Sequence, residues 1–297
     1  MKNISILVLG SSGFLGKILY TYLKKYFNTS HTGLNKRRYN LHNYLSFKNL
    51  LLQKDFTHII NCVALTNVDE CEKKKNKAFN TNVKILKLLL KIKKKNKLKF
   101  NLIHFSTDQV YNSNDMKYFN KEYDITRPNI NYYTKTKKEA EILCKKYEYK
   151  DILILRTNFL GKSNSKKKSF SDWLIGNILK NNRISLAEDS LISPLRTNTI
   201  SQVIKKIIMR KKFLSGIFNL GSRDGMSKLK IGKIFIDKFN KKFKNYEIKK
   251  INEITQTKRP TNMMMNSKKF SRKFNIVLPK LSDELNKLIK EYANKNK

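Results

Sequence analysis

Acidic residues are scarce in this chain. Against 64 Lys and Arg its 297 residues include only 22 Asp and Glu, a formal net charge of +42, and no carboxylate side chain occurs before Asp55. Cysteine is scarce too. Cys62, Cys71 and Cys144 lie far apart, with no CxxC pair and no histidine partners, which excludes a disulfide framework or a zinc site. Reduced thiols in a cytoplasmic protein without a metal are expected instead. No apolar run approaches the ~20 residues that span a bilayer, so no membrane association is expected. The apolar N-terminus is too short, and too well patterned as a first strand, to be a signal peptide. There is no internal repeat and no disordered linker.

The basic excess looks like a nucleic-acid signature, but it forms no arm or patch. Lysine recurs in nearly every helical stretch, interleaved with asparagine and isoleucine, and all three have codons made largely of A and T. Base bias produces the same excess, so a solvated lysine-rich surface is preferred and no specific nucleic-acid partner is expected. Weak adhesion to nucleic acid at low salt follows in either case. The hydrophobic fraction of 40% is that of a folded protein with a substantial core.

The first half alternates strand-like and helix-like runs, the rhythm of an α/β fold with a Rossmann-type doubly wound parallel sheet. Strands are expected at Ile4–Leu9, Ser30–Leu34, Thr57–Val63, Lys99–Ser106 and Asp151–Arg156, and helices at Lys17–Phe27, Ala78–Lys95 and Tyr132–Tyr147. After Gly161 the rhythm loosens, with a basic polar loop at 163–169 and elements around Ile184, Gly216–Leu220 and Ser227–Phe239. This divides the chain into a dinucleotide-binding domain over 1–160 and a smaller, partly interwoven substrate-binding lobe over 161–297.

Gly10, Gly13 and Gly16 recur at three-residue spacing between the first strand and the first helix. Glycine there permits a tight turn, close approach to a pyrophosphate and close packing of helix on strand. The helix N-terminus adds unpaired N–H groups and a positive dipole end. The turn Gly10, Ser12, Gly13, Phe14, Leu15 and Gly16 is therefore the expected phosphate cradle. An NAD site normally places a carboxylate on the ribose 2′-hydroxyl roughly 20 residues later. Here Asn35-Lys36-Arg37-Arg38 stands instead, so Arg37 and Arg38 suit a 2′-phosphate: NADP(H) is preferred, with NAD(H) the alternative.

Tyr133 and Lys137 stand four apart and share a helix face. A nearby ammonium favours phenolate, which fits a tyrosine for proton exchange with a carbonyl or alcohol. The spacing alone decides nothing, since Tyr20/Lys24, Tyr44/Lys48 and Tyr246/Lys250 share it. Its place after the strand ending Ser106-Thr107-Asp108-Gln109-Val110-Tyr111 singles out Tyr133.

Four ordered stretches resemble the dTDP-4-dehydrorhamnose reductase family of extended short-chain dehydrogenases. They are the glycine turn, Asn61–Glu72, Ser106–Tyr111 and Tyr133–Glu141, with Asn82 in a further family position. Leu155–Phe159, Ser193-Pro194, Gly216–Gly221 and Arg259-Pro260 follow in family order. The resemblance implies reduction, by a nicotinamide cofactor, of the C4 keto group of a nucleotide-linked 4-keto-6-deoxysugar, toward surface polysaccharide precursors; with the missing carboxylate, the expected reductant is NADPH. It implies that Thr107 holds the substrate carbonyl, Tyr133 donates the proton, and Lys137 holds the cofactor ribose and tunes Tyr133. Ala64 and Thr66 would line the cofactor cleft, Phe159 would lie near the nicotinamide, and Val68 and Asp108 near the sugar. Four departures bear on the substrate. Thr134 replaces a glycine, Pro128 is one residue farther from Tyr133 than in the family, Asn112–Asn114 lack a glycine, and Asn40 replaces an aspartate in a cofactor-contacting loop. Dehydratases of this fold carry Asp-Glu where Asp108-Gln109 stands, so reduction is preferred to dehydration. An epimerase or epimerase-reductase, and a non-catalytic NADP-binding regulatory subunit, remain as alternatives. The sequence leaves a homodimer open.

Overall fold

The structure is a computed structural model and describes residues 4–33, 39–124, 129–147, 150–163 and 168–294. Leu34, the Asn35–Arg38 cluster with Arg37 and Arg38, and Pro128 lie outside the described residues. Contacts divide the chain into two units built from separate stretches. One comprises Met1–Ser106, Asn131–Leu155 and Ser201–Ile217, the other Thr107–Ile130, Arg156–Ile200 and Phe218–Lys297.

The first unit carries β1 (Ser5–Leu9), α1 (Phe14–Leu23), β2 (Asn28–Thr32), α2 (Tyr44–Leu52), β3 (His58–Asn61), α3 (Val68–Lys73), α4 (Lys75–Phe79), α5 (Ile85–Lys95), β4 (Asn101–Thr107), α6 (Tyr132–Lys146) and β5 (Ile152–Thr157), the last residues of β4 and β5 passing to the second. With the strand Gly216–Leu220 these make one six-stranded sheet in the order Gly216–Leu220, β5, β4, β3, β1, β2. β1 pairs parallel with β2 and with β3, and β3 with β4. Ile6–Leu9 are fully buried, as a continuous apolar run demands in a parallel sheet covered on both faces. Leu7 and Leu9 share a core with Phe47, Leu50 and Leu51 of α2, Ile85, Leu86 and Leu89 of α5, and Ala140 and Cys144 of α6. The strand order reverses at β1, so the ligand crevice of such a sheet lies outside the carboxyl ends of β1 and β3.

Two helices differ from expectation. The first begins at Phe14 rather than Lys17, because extended Gly13 is its N-cap, and it closes by Leu23, where Tyr26 N–H bonds the Leu23 carbonyl. The helix expected over Ala78–Lys95 is interrupted by a π-helical turn, Asn80–Lys84. The extra residue in such a turn re-aims side chains and often marks a functional position. Here Asn82 is buried, and its contacts show why.

The second unit has its own core of Leu174, Ile178, Leu186, Phe235, Leu285 and Leu288. The helices Phe170–Leu179, Lys228–Phe239 and Leu281–Ala293 supply most of it. Ile184–Ala187 pairs parallel with Tyr246–Lys249, and Phe159–Leu160 with Leu195–Arg196. Ser169 and Asp172 form a capping box for Phe170–Leu179, and Ser227 caps Lys228–Phe239 through Lys230 N–H. Among the described residues no helix is long and apolar enough to cross a membrane, and no group of three or more His, Cys, Asp or Glu could hold a metal.

Candidate active site

The glycine turn follows directly from β1. Gly10 and Ser11 donate their N–H groups to the Thr32 carbonyl at 2.8 and 3.1 Å, which ties the end of β1 to the end of β2. Gly10 adopts φ +82°, and a Cβ there would stand 2.9 Å from backbone atoms of Cys62 and Val63. Gly16 is equally constrained, since a Cβ would fall 2.4 Å from the Gly10 carbonyl oxygen. The protein itself thus dictates these two glycines. Gly13 is different: its Cβ would meet a single atom, the Gly10 oxygen, at 3.3 Å. Ser12 and Gly13 are exposed and Phe14 is half-buried, while Leu15 and Gly16 are buried. The turn therefore offers an open backbone surface at a helix N-terminus, the arrangement that binds phosphate.

Beyond β3, Ala64 is half-buried and Thr66 exposed, with Leu65 between them buried. Asn82 fixes this segment. Its Oδ1 accepts from Leu65 N–H at 2.7 Å, and its Nδ2 donates to the Leu65 carbonyl at 3.2 Å and to Thr136 Oγ1 at 2.9 Å. Thr136 in turn donates to the Tyr133 carbonyl at 2.8 Å. One amide in the π turn therefore ties the 64–66 segment to the first turn of α6. Val68, which the resemblance places near the sugar, packs in an apolar cluster with Leu65, Cys71, Ala78 and Tyr133. Asn40 sits in an exposed turn before α2, where its Oδ1 accepts from His42 N–H at 2.9 Å.

α6 starts at the Asn131 cap, whose side chain accepts from Thr134 N–H. Tyr133 is buried, and Lys137 is only 2% exposed. Lys137 Nζ donates to the Phe105 carbonyl of β4 at 2.7 Å. Burial brings its pKa down to about 8, against the pull of Glu141 and then of Cys144 and Cys62. A lysine held this way is fixed in position rather than waving in solvent.

In the second unit, Thr107 Oγ1 accepts from Gln109 N–H at 3.2 Å and donates to Asp108 Oδ1 at 3.3 Å. Asp108 is 2% exposed, and Asn158 Nδ2 donates to its Oδ2 at 2.6 Å. Burial raises Asp108 from the ordinary 3.8 to about 6, against the bond from Asn158 and the charge of Lys228. Lys228 is itself lowered to about 8, by desolvation and then by Arg259, with Asp108 and Asp189 opposing. Phe159, expected near the nicotinamide, is half-buried beside Leu195 in a short parallel pair. The sequence reading missed the link of Asn158 and Lys228 to Asp108. Lys228 is one lysine among dozens, so nothing in the sequence singles it out.

A pH effect follows from Asp108. Its pKa is raised on folding, so the native state holds a proton that the unfolded chain has released between about pH 4 and 6. Its contribution to stability is complete below the ordinary carboxylate value and is lost as pH rises through about 6. Asp108→Asn is expected to flatten the stability profile in that window, read by denaturant melts at half-unit steps. An unchanged slope would count against the burial argument.

The family described as the RmlD substrate binding domain matches residues 4–294. The chain is 28% identical over 271 residues to a dTDP-D-glucose 4,6-dehydratase of Dictyostelium discoideum, covering 78% of this chain but spanning only 61% of that protein's length. It is 25% identical over 233 residues to the dTDP-4-dehydrorhamnose reductase of Escherichia coli K12, covering 74% of this chain and 75% of that one. The fold is similar to that of a dTDP-4-dehydrorhamnose reductase from Bacillus anthracis solved in complex with NADP. That likeness has a TM-score of 0.85 and 20% identity, with 98% of this chain and 100% of the other covered.

Proposed function

We propose a function from the premise that this chain belongs to the RmlD substrate binding domain family: it is a reductase that converts the C4 keto group of a nucleotide-linked 4-keto-6-deoxysugar to the alcohol with NADPH. The product would serve as a precursor of surface polysaccharide, made in the cytoplasm. Nucleotide binding is assigned to residues 1–160 and substrate recognition mainly to 161–297. The observation that carries the reading is the Tyr133/Lys137 pair, buried on one face of α6 with Lys137 pinned to the Phe105 carbonyl.

The residues fit a dinucleotide. Gly10, Ser12, Gly13, Phe14, Leu15 and Gly16 would hold its phosphates, Ala64 and Thr66 its neighbouring groups, Tyr133 and Lys137 its ribose, and Phe159 its nicotinamide. NADPH, when bound, supplies the hydride that C4 takes up. Tyr133 gives its phenolic proton to the carbonyl oxygen, and the ammonium of Lys137 favours the phenolate left behind. Thr107 donates a hydrogen bond to the same oxygen, and Asp108 and Val68 serve the sugar. The preference for NADPH rests on the absence of any carboxylate before Asp55, with Arg37 and Arg38 assigned to the 2′-phosphate.

The Dictyostelium dehydratase brings forward water elimination as a second reading. That chemistry uses a carboxylate base, and the amide of Gln109 has no such basicity. The deciding experiment follows oxidation of NADPH and of NADH against dTDP-, GDP-, UDP- and CDP-linked 4-keto-6-deoxysugars, and water loss from the matching nucleotide-linked hexoses that keep the 6-hydroxyl. Turnover of at least one, with higher efficiency for NADPH, is expected. Epimerisation or water loss without net cofactor oxidation would overturn the reductase assignment. Binding of NADPH with no turnover of any sugar would point to a regulatory subunit.

A further inference from the structure

We propose that Glu141 is a positioning residue that keeps Lys137 charged and in place inside a site closed to water. The proposal rests on the reading of Lys137 as the partner of Tyr133, but its test does not require turnover.

Lys137 and Glu141 are one turn apart on the same face of α6, 2% and 4% exposed. Both are anchored to consecutive residues of β4. Lys137 Nζ donates to the Phe105 carbonyl at 2.7 Å, and Ser106 Oγ donates to Glu141 Oε1 at 2.5 Å. The strand thus holds an ammonium and a carboxylate one turn apart on the same helix face, both out of water. Neither charge would be tolerated there alone, because the desolvation of a buried ion is offset only by an opposite charge and hydrogen bonds.

The other titratable groups that act on Lys137 carry no negative charge near neutral pH. Cys144, farther along α6, is pushed up to about 12 by burial, and the Cys62 thiol after β3 is raised further. His104 of β4 is held neutral by burial and by Lys137 itself, and its Nδ1 pairs with Asn61 Nδ2 at 3.1 Å. Tyr133 precedes Lys137 by one turn and, in the proposed reaction, starts as the neutral phenol. Among the described residues acting on Lys137, Glu141 therefore supplies the countercharge. In a chain with so few carboxylates, one buried beside the proposed catalytic lysine is not accounted for by surface charge.

A purely structural role, tying α6 to β4 through Ser106, makes a different prediction. Glu141→Gln keeps an acceptor for Ser106 but removes the charge. In protein labelled with ¹³C-lysine, Lys137 is expected to titrate well below the usual ~10.4 of lysine, with its resonance assigned by its loss in Lys137→Met. Glu141→Gln is expected to lower that midpoint by about one unit or more. An unchanged midpoint would overturn the proposal. The second measurement is a mutant cycle in unfolding free energy. Glu141→Gln should destabilise the parent chain yet stabilise Lys137→Met, in which the buried carboxylate keeps its Ser106 bond but loses the ammonium of Lys137. The same sign and size of effect in both backgrounds would leave only the structural tie. Stabilisation of Lys137→Met by Glu141→Gln can be read even if Glu141→Gln alone fails to fold, and its absence there would overturn the proposal. A shifted midpoint in a protein that reduces no keto sugar would support the role of Glu141 while removing the proposed reaction.

Discussion

Tyr133→Phe is expected to reduce keto-sugar turnover by about 10²–10⁴-fold, the usual contribution of a positioned general acid, and to leave NADPH affinity largely intact, since Lys137 and the glycine turn still hold the nucleotide. The substitution deletes one oxygen and keeps the ring, so the apolar cluster of Leu65, Val68, Cys71 and Ala78 around it stays packed. Turnover is read by NADPH oxidation at saturating substrate, and cofactor binding by fluorescence titration. Near-parent turnover would remove Tyr133 from the reaction. A joint loss of turnover and cofactor binding would instead mean that the phenol serves mainly to hold the nucleotide.

The glycine turn supports a second large effect, in which two chemically identical substitutions separate folding from binding. Gly16→Ala places a methyl group 2.4 Å from the Gly10 carbonyl oxygen and 2.8 Å from its carbon. Both are backbone atoms that cannot swing aside. A loss of about 3 kcal/mol is expected, the upper end of the ordinary overpacking range. Gly13→Ala meets one atom at 3.3 Å and costs about 1 kcal/mol or less, mostly as a poorer N-cap. Its methyl group nonetheless stands on the open surface assigned to the pyrophosphate, so NADPH affinity should fall while the fold persists. Thermal melts with and without NADPH separate the two. Equal destabilisation by both variants, or full NADPH stabilisation of Gly13→Ala, would refute this division of roles.

Much of the first unit is legible in the sequence because its signals are short-range. The run Ile4–Leu9, the three glycines and the Tyr133/Lys137 spacing each depend on residues within a few positions of one another. The structure places β1, the turn and α6 accordingly. The helix expected over Ala78–Lys95 is interrupted instead. Its apolar periodicity is real, with Ile85, Leu86, Leu89 and Leu90 all buried, but periodicity does not register one extra residue in a turn. In the π turn at Asn80–Lys84, Asn82 reaches Leu65, 17 residues earlier, and Thr136, 54 residues later, contacts that no local pattern announces.

The candidate site divides along the same line. The sequence by itself determined which residues could do the chemistry: a glycine turn for phosphates, a tyrosine and a lysine one helical turn apart, and no acid where an NAD ribose would want one. Only the tertiary structure decided how those groups are held. It buried Asp108 against Asn158, pinned Lys137 to Phe105, and set Glu141 beside it through Ser106, 35 residues away. The physical reason is range. Turn geometry and helix spacing are local properties of the backbone, whereas desolvation and charge pairing arise only when distant segments exclude water together.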